Sequence, residues 1–123
     1  MRYLLDTSAI LEIASGSEKG RRVASSLKGE VLTCSVCAFE ALDTSAAAYR
    51  KGILEFLGAL TVLPFGLADS VAASELSQES RRAGRQVPPS DCMIAAVCRN
   101  NLCALATADS DFKRISGLEV ALF

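Results

Sequence analysis

Five short apolar runs, each set off from the next by ten or more residues, constrain this chain more than any other feature. They lie at 3–5 (Tyr3-Leu4-Leu5), 30–33, 61–63, 103–106 and 118–122. Runs of this length suit buried strands, and the segments between them carry apolar residues at helical spacing. Strands joined this way cannot form tight hairpins. They need crossover connections, which make parallel neighbours and leave both faces of the sheet to be covered by helices. The fold class expected is therefore α/β, a three-layer α/β/α arrangement around a central, mostly parallel five-stranded sheet. A chain of 123 residues, 50% of them hydrophobic, can bury roughly two-thirds of its unfolded surface. No linker, repeat or low-complexity tract divides it, so residues 1–123 read as one domain.

The helices follow from caps and breakers. Thr7-Ser8 offer N-cap chemistry for a helix over 9–14, which Ser15-Gly16-Ser17 breaks before a second helix runs to about 27. Ser35 is placed to cap a long helix reaching 51, with Val36, Phe39 and Leu42 on its apolar face. Gly52 then interrupts, and helical periodicity resumes over 53–60. An amphipathic helix over 68–83 is closed by Gly84. After the rigid Val87-Pro88-Pro89-Ser90, in which Ser90 is a cap residue, 91–99 reads as a helix apolar almost all round and hence buried.

Composition narrows the chemistry. There is no histidine, which excludes a histidine general base, a Ser–His–Asp triad and any His-ligated metal. The 13 Lys+Arg against 14 Asp+Glu leave a net charge of -1, a poor basis for gripping nucleic acid by bulk charge. The longest weakly polar stretches, 57–65 and 92–98, are too short for a membrane span, and the opening turns acidic at Asp6, too early for a signal peptide. A soluble cytoplasmic protein with no membrane partner is expected. Cys34-x-x-Cys37 has metal or redox spacing but no second pair. Like Cys92, Cys98 and Cys103, these residues sit mostly in apolar runs, so buried free thiols are expected rather than disulfides.

Parallel sheets place their ligand sites at the carboxyl ends of the strands. Asp6 follows the first strand and Asp109 the fourth. Either would serve equally well as a helix cap. Asp91 lies in the first turn of the most buried helix, where its same-face neighbours Ile94, Ala95 and Cys98 are apolar. Glu40 stands in an apolar run with no basic residue three or four positions away. If these four carboxylates meet, they repel unless a cation neutralises them. An all-oxygen acidic set suits Mg²⁺ or Mn²⁺, ions that coordinate phosphate and activate water without any histidine. Arg85, Lys113 and Arg114 flank the Asp91 helix and the Asp109 loop. They read either as solvated surface or as phosphate contacts for a substrate.

Four segments in order carry a resemblance to the PIN-domain family, and most closely to its small VapC-type toxin ribonucleases. They are Leu4-Leu5-Asp6-Thr7-Ser8-Ala9, Ser35-Val36-Cys37-Ala38-Phe39-Glu40, Pro89-Ser90-Asp91-Cys92-Met93-Ile94-Ala95, and Ala106-Thr107-Ala108-Asp109-Ser110-Asp111-Phe112. The resemblance spans essentially the whole chain. It implies that Asp6, Glu40, Asp91 and Asp109 are the metal-binding, catalytic quartet, that Thr7 and Thr107 support it, and that Asp111 is a helper. It also implies an RNA substrate, a protein antitoxin and a homodimer. The continuation Ala41-Leu42-Asp43-Thr44 departs from the family's usual apolar-and-glycine pattern, which bears on substrate or partner contacts more than on the metal. The competing readings are a PIN-like RNA- or protein-binding module without catalysis, and a housekeeping RNA-processing nuclease. A haloacid-dehalogenase-type phosphatase would want a second Asp where Ser8 stands. A P-loop nucleotidase would want a GxxxxGK[ST] loop, which is lacking.

Overall fold

A computed structural model describes residues 1–123. In chain order the elements are β1 (Arg2–Leu5), α1 (Thr7–Ala14), α2 (Glu18–Ser26), β2 (Glu30–Cys34), α3 (Ser35–Thr44), α4 (Arg50–Gly58), β3 (Thr61–Leu63), α5 (Leu67–Arg82), α6 (Pro89–Asn100), β4 (Ala104–Thr107) and β5 (Val120–Leu122). Short 3-10 turns precede α4 and follow β4. The strands form one sheet in the order β3-β2-β1-β4-β5, and every pairing is parallel. The expected architecture is thus met, with a sheet that is wholly rather than mostly parallel.

The strand order fixes where a site can form. The chain builds outward from β1 through β2 to β3, then returns to lay β4 on the other side of β1. The topological switch therefore falls at β1, and the crevice there opens at the carboxyl ends of the strands. Helix α1 packs with α2, α3 and α4, while α5 pairs with α6. Leu4, Leu5, Leu32 and Leu105 are fully buried in the central strands, and α6 contributes every residue from Ile94 to Cys98 to the same core. α6 is buried nearly all round, as its composition requires. Gly20 explains the close seat of α2: a Cβ there would lie 2.2 Å from the Glu12 carbonyl oxygen. All five cysteines are free and buried, and the Cys34 and Cys37 sulfurs stand 3.6 Å apart.

Several boundaries differ from the sequence expectation, each for a local reason. The helix expected to run from 35 to 51 ends at Thr44. There Thr44 Oγ1 donates to the Glu40 carbonyl at 2.7 Å and Ser45 Oγ to the Leu42 carbonyl at 3.3 Å. These side-chain bonds compete with the helical ladder, and Ser45 turns extended. Gly52 does not interrupt anything, since α4 starts at Arg50 and runs through it. Ser35 is the first residue of α3 rather than its cap, a position taken by Cys34. Neither Thr7 nor Ser8 caps α1, because Asp6 does. Ser90 does not cap α6 either. That helix opens on Pro89 with no side-chain cap, an arrangement proline favours because its missing N–H would be unpaired there in any case. The fourth and fifth strands are shorter at their starts than read, beginning at Ala104 and Val120.

Candidate active site

Asp6 leaves β1 and becomes the cap of α1. Its Oδ1 accepts from the Ala9 backbone N–H at 2.9 Å and from Ser8 Oγ at 2.6 Å. Its Oδ2 accepts a hydrogen bond from Thr107 Oγ1 at the end of β4. The two hydroxyls then reach across to the loop that follows β4. Ser8 Oγ accepts from the Ala108 N–H at 3.1 Å, and Thr107 Oγ1 accepts from the Asp109 N–H at 3.0 Å. One carboxylate thus ties the ends of two adjacent strands through two hydroxyl relays. Asp6 thus caps α1, one of the two roles weighed from sequence, and does so from the carboxyl end of β1.

The other acids are held more loosely. Glu40, half-buried on α3, accepts from Thr7 Oγ1 at 2.6 Å. Thr7 therefore orients Glu40 while Thr107 orients Asp6. Asp109 is exposed and its Oδ1 accepts from the Asp111 N–H at 2.9 Å, capping the 3-10 turn. Asp91 accepts no hydrogen bond from any protein group and caps nothing, although it is only partly exposed.

Electrostatics show that these groups share one place. Burial pushes the Asp91 carboxyl up to about 6, helped by the charges of Asp109, Glu40, Asp6 and Asp111. Asp6 is also raised, by burial above all and in lesser part by Asp109. Its hydrogen bonds from Ser8, Thr107 and Ala9 oppose the rise. None of the four ion pairs in the protein involves Asp6, Glu40, Asp91 or Asp109. The set is a concentration of negative charge without a counter-cation. By donor chemistry it fits a hard divalent ion. No three of its side chains are gathered closely enough to enclose such an ion as they stand.

The flanking residues sort unevenly. Asp111 and Arg114 pair at 3.3 Å and line, with Asp91, a cavity of about 220 Å³. Arg85 and Arg114 both line an adjoining cavity. Lys113 is exposed and lines neither cavity. Ser8 was read only as a cap, and its bridging role went unseen. The D-x-S spacing that lets its hydroxyl turn back on Asp6 was the available signal.

The sequence model of the PIN domain matches residues 3–118. The chain belongs to the PIN-domain family. Three solved structures share its fold over nearly its full length. VapBC2 of Rickettsia felis, bound to a DNA fragment from its promoter, matches at 20% identity and a TM-score of 0.86, covering 100% of this chain and 99% of that one. DNA-bound VapBC of Salmonella typhimurium matches at 22% and 0.82, covering 98% and 97%. VapC20 of Mycobacterium tuberculosis, described as a toxin that cleaves the sarcin–ricin loop, matches at 16% and 0.71, covering 97% and 99%. No curated protein sequence matches the chain significantly. No helix is long and apolar enough to cross a membrane.

Proposed function

We propose that this chain is a Mg²⁺- or Mn²⁺-dependent endoribonuclease, the toxin of a toxin–antitoxin pair. The observation that carries the reading is Asp91, a partly buried carboxylate with neither a hydrogen bond nor an ion pair, which feels the charges of Asp109, Glu40, Asp6 and Asp111. Such an arrangement opposes folding and persists where it serves a bound cation. When bound, the ion supplies an activated water and neutralises charge developing on the phosphodiester.

The chain's own residues provide position. Asp6 is fixed by three donors and so presents a constant orientation. Glu40 is aimed by Thr7. Asp91 and Asp109 close the set from α6 and from the loop after β4. With no histidine in the chain, a proton leaving water would pass to one of these carboxylates. Arg114, beside Asp111, is placed for a substrate phosphate. A protein antitoxin belongs to the same reading, supported by the toxin–antitoxin complexes that share the fold, and self-association as a homodimer is part of the proposal.

The test compares wild type with Asp109→Ala, purified identically, on total RNA with Mn²⁺ and with EDTA. Cleavage by the wild type alone, abolished by EDTA, supports the enzyme. A contaminating ribonuclease would cut equally in both preparations. RNA binding without cleavage would point to the non-catalytic module instead.

A further inference from the structure

The pocket that holds Asp91 and Asp111 does not end at the carboxylates. A second cavity of about 250 Å³ shares Val87, Arg114 and Ile115 with it. The three remaining cavities share no residue with that pocket. An RNA strand whose phosphate lies at the carboxylates carries a base on either side, and this cavity adjoins the one that Asp91 lines. We infer that the second cavity is a nucleotide subsite seating one base next to the cleaved phosphate, with Arg114 as its shared wall and Glu79 as its selecting residue. The inference rests on the ribonuclease reading above.

Three features of the lining support this occupant. The floor is aliphatic, built from Leu76, Val87 and Ile115 together with Cys92, with exposed Ala83 at the edge, a surface for the face of a ring rather than for a bare ion. Its volume falls below the roughly 300–1,000 Å³ of sites for drug-sized ligands, and suits a single planar ring system. The rim carries two guanidiniums, Arg85 and Arg114, which lie flat on bases and bind phosphates by the same planar group. No aromatic residue lines the cavity, so these arginines replace the usual stacking platform.

The polar groups at the rim also point to a preference. The Ser80 hydroxyl is already committed, donating to the Ser77 carbonyl at 2.9 Å and accepting from the Val87 N–H at 3.1 Å. Glu79 is exposed and takes part in no ion pair. A carboxylate only accepts hydrogen bonds, and so favours bases that offer an exocyclic amino group. Guanine, cytosine and adenine fit this requirement, guanine with an adjacent ring N–H as well, and uracil has no amino group to offer. Position is coupled to chemistry as well, because Cys92 in the floor directly follows Asp91 in α6.

The experiment fills the cavity from its edge. Ala83→Phe and Ser116→Phe replace exposed residues that line it. Each variant is assayed on single-stranded RNA and on bis(p-nitrophenyl) phosphate, a diester without a base. The expected result is a KM for RNA raised by about tenfold, with hydrolysis of the small diester little changed. Glu79→Gln should lower cleavage beside guanine, cytosine and adenine toward that beside uracil, flattening the preference. Equal RNA kinetics in wild type and both filled variants would overturn the subsite. A wild type that cleaves neither substrate would overturn the ribonuclease reading instead. Binding of 2′-O-methyl RNA, followed by fluorescence anisotropy, then decides the subsite by itself: weaker binding by both filled variants upholds it, and unchanged binding removes it.

Discussion

At the end of β1, Asp6 is buried and accepts hydrogen bonds from Ser8, Ala9 and Thr107. In the same crevice Asp91 is half-buried and accepts none. Both carboxyls are raised by burial, but for Asp6 the donors push back, whereas for Asp91 four neighbouring carboxylates add to the rise. Asp6 therefore serves the fold and the site together, and its charge is partly compensated before any ligand arrives. Asp91 does nothing visible for the fold. The contrast separates residues that build a site from residues that the site holds at a cost.

The largest effect expected is one in which the two should agree. Asp6→Ala and Asp91→Ala should each lower RNA cleavage by about 10²–10³-fold or more, because the carboxylates act as one electrostatic unit whose losses do not add. The double variant, assayed alongside, should be little worse than either single one. Full additivity would mean that the two belong to separate sites.

Metal-free stability should then divide them. Asp6→Ala removes a cap and leaves the Thr107 and Ser8 hydroxyls without their acceptor, at a cost of about 2 kcal/mol. For a domain this size that lowers the melting temperature by about 6–10 °C. Asp91→Ala should leave stability unchanged or raise it. If thermal denaturation instead shows Asp91→Ala falling as far as Asp6→Ala, Asp91 is structural after all and the contrast fails.

A pH series sharpens the same point. The Asp91 carboxyl is raised in the folded state from 3.8 to about 6. Its contribution to stability is therefore complete below about pH 4 and lost as pH rises through 6. Without metal, Asp91→Asn should match the wild type near pH 4 and exceed it above pH 6. Adding Mn²⁺ at pH 7 should stabilise the wild type more than the variant, by preferential binding to the folded state. A difference between the two proteins that does not change with pH would mean that Asp91 ionises normally.

The smallest effect concerns Arg114, which lies outside both carboxylates. Arg114→Ala should weaken RNA binding modestly and reduce the slope of log K against log salt by about 1, as expected for one lost phosphate contact. A loss of cleavage as deep as that of Asp91→Ala would make Arg114 part of the reaction centre.

Strand positions and their parallel pairing were legible because Leu4, Leu5, Leu32 and Leu105 sit in short runs that only a two-sided sheet can bury. Asp6 and Asp109 were legible because they stand where such strands end. The break at Ser45 was not, since it depends on two hydroxyls choosing backbone carbonyls over solvent, a competition that periodicity does not record. The α6 start misled for a related reason. Ser90 is a good cap by type, but Pro89 had already begun the helix one residue earlier. The hydroxyl relays through Ser8 and Thr107 link residues 100 and 101 positions apart, and no local pattern reaches so far.

That separation has a consequence in time. A ribosome delivers Thr107 fully 101 residues after Asp6, so the β1–β4 seam cannot close until β4 has emerged. Closing a loop of this span is also entropically slow compared with forming its helices. A growing or truncated chain ending before β4 has Asp6, Glu40 and Asp91 but lacks the strand that brings the set together. The crevice at the end of β1 is thus assembled only once β4 is in place, however early its first carboxylate is made.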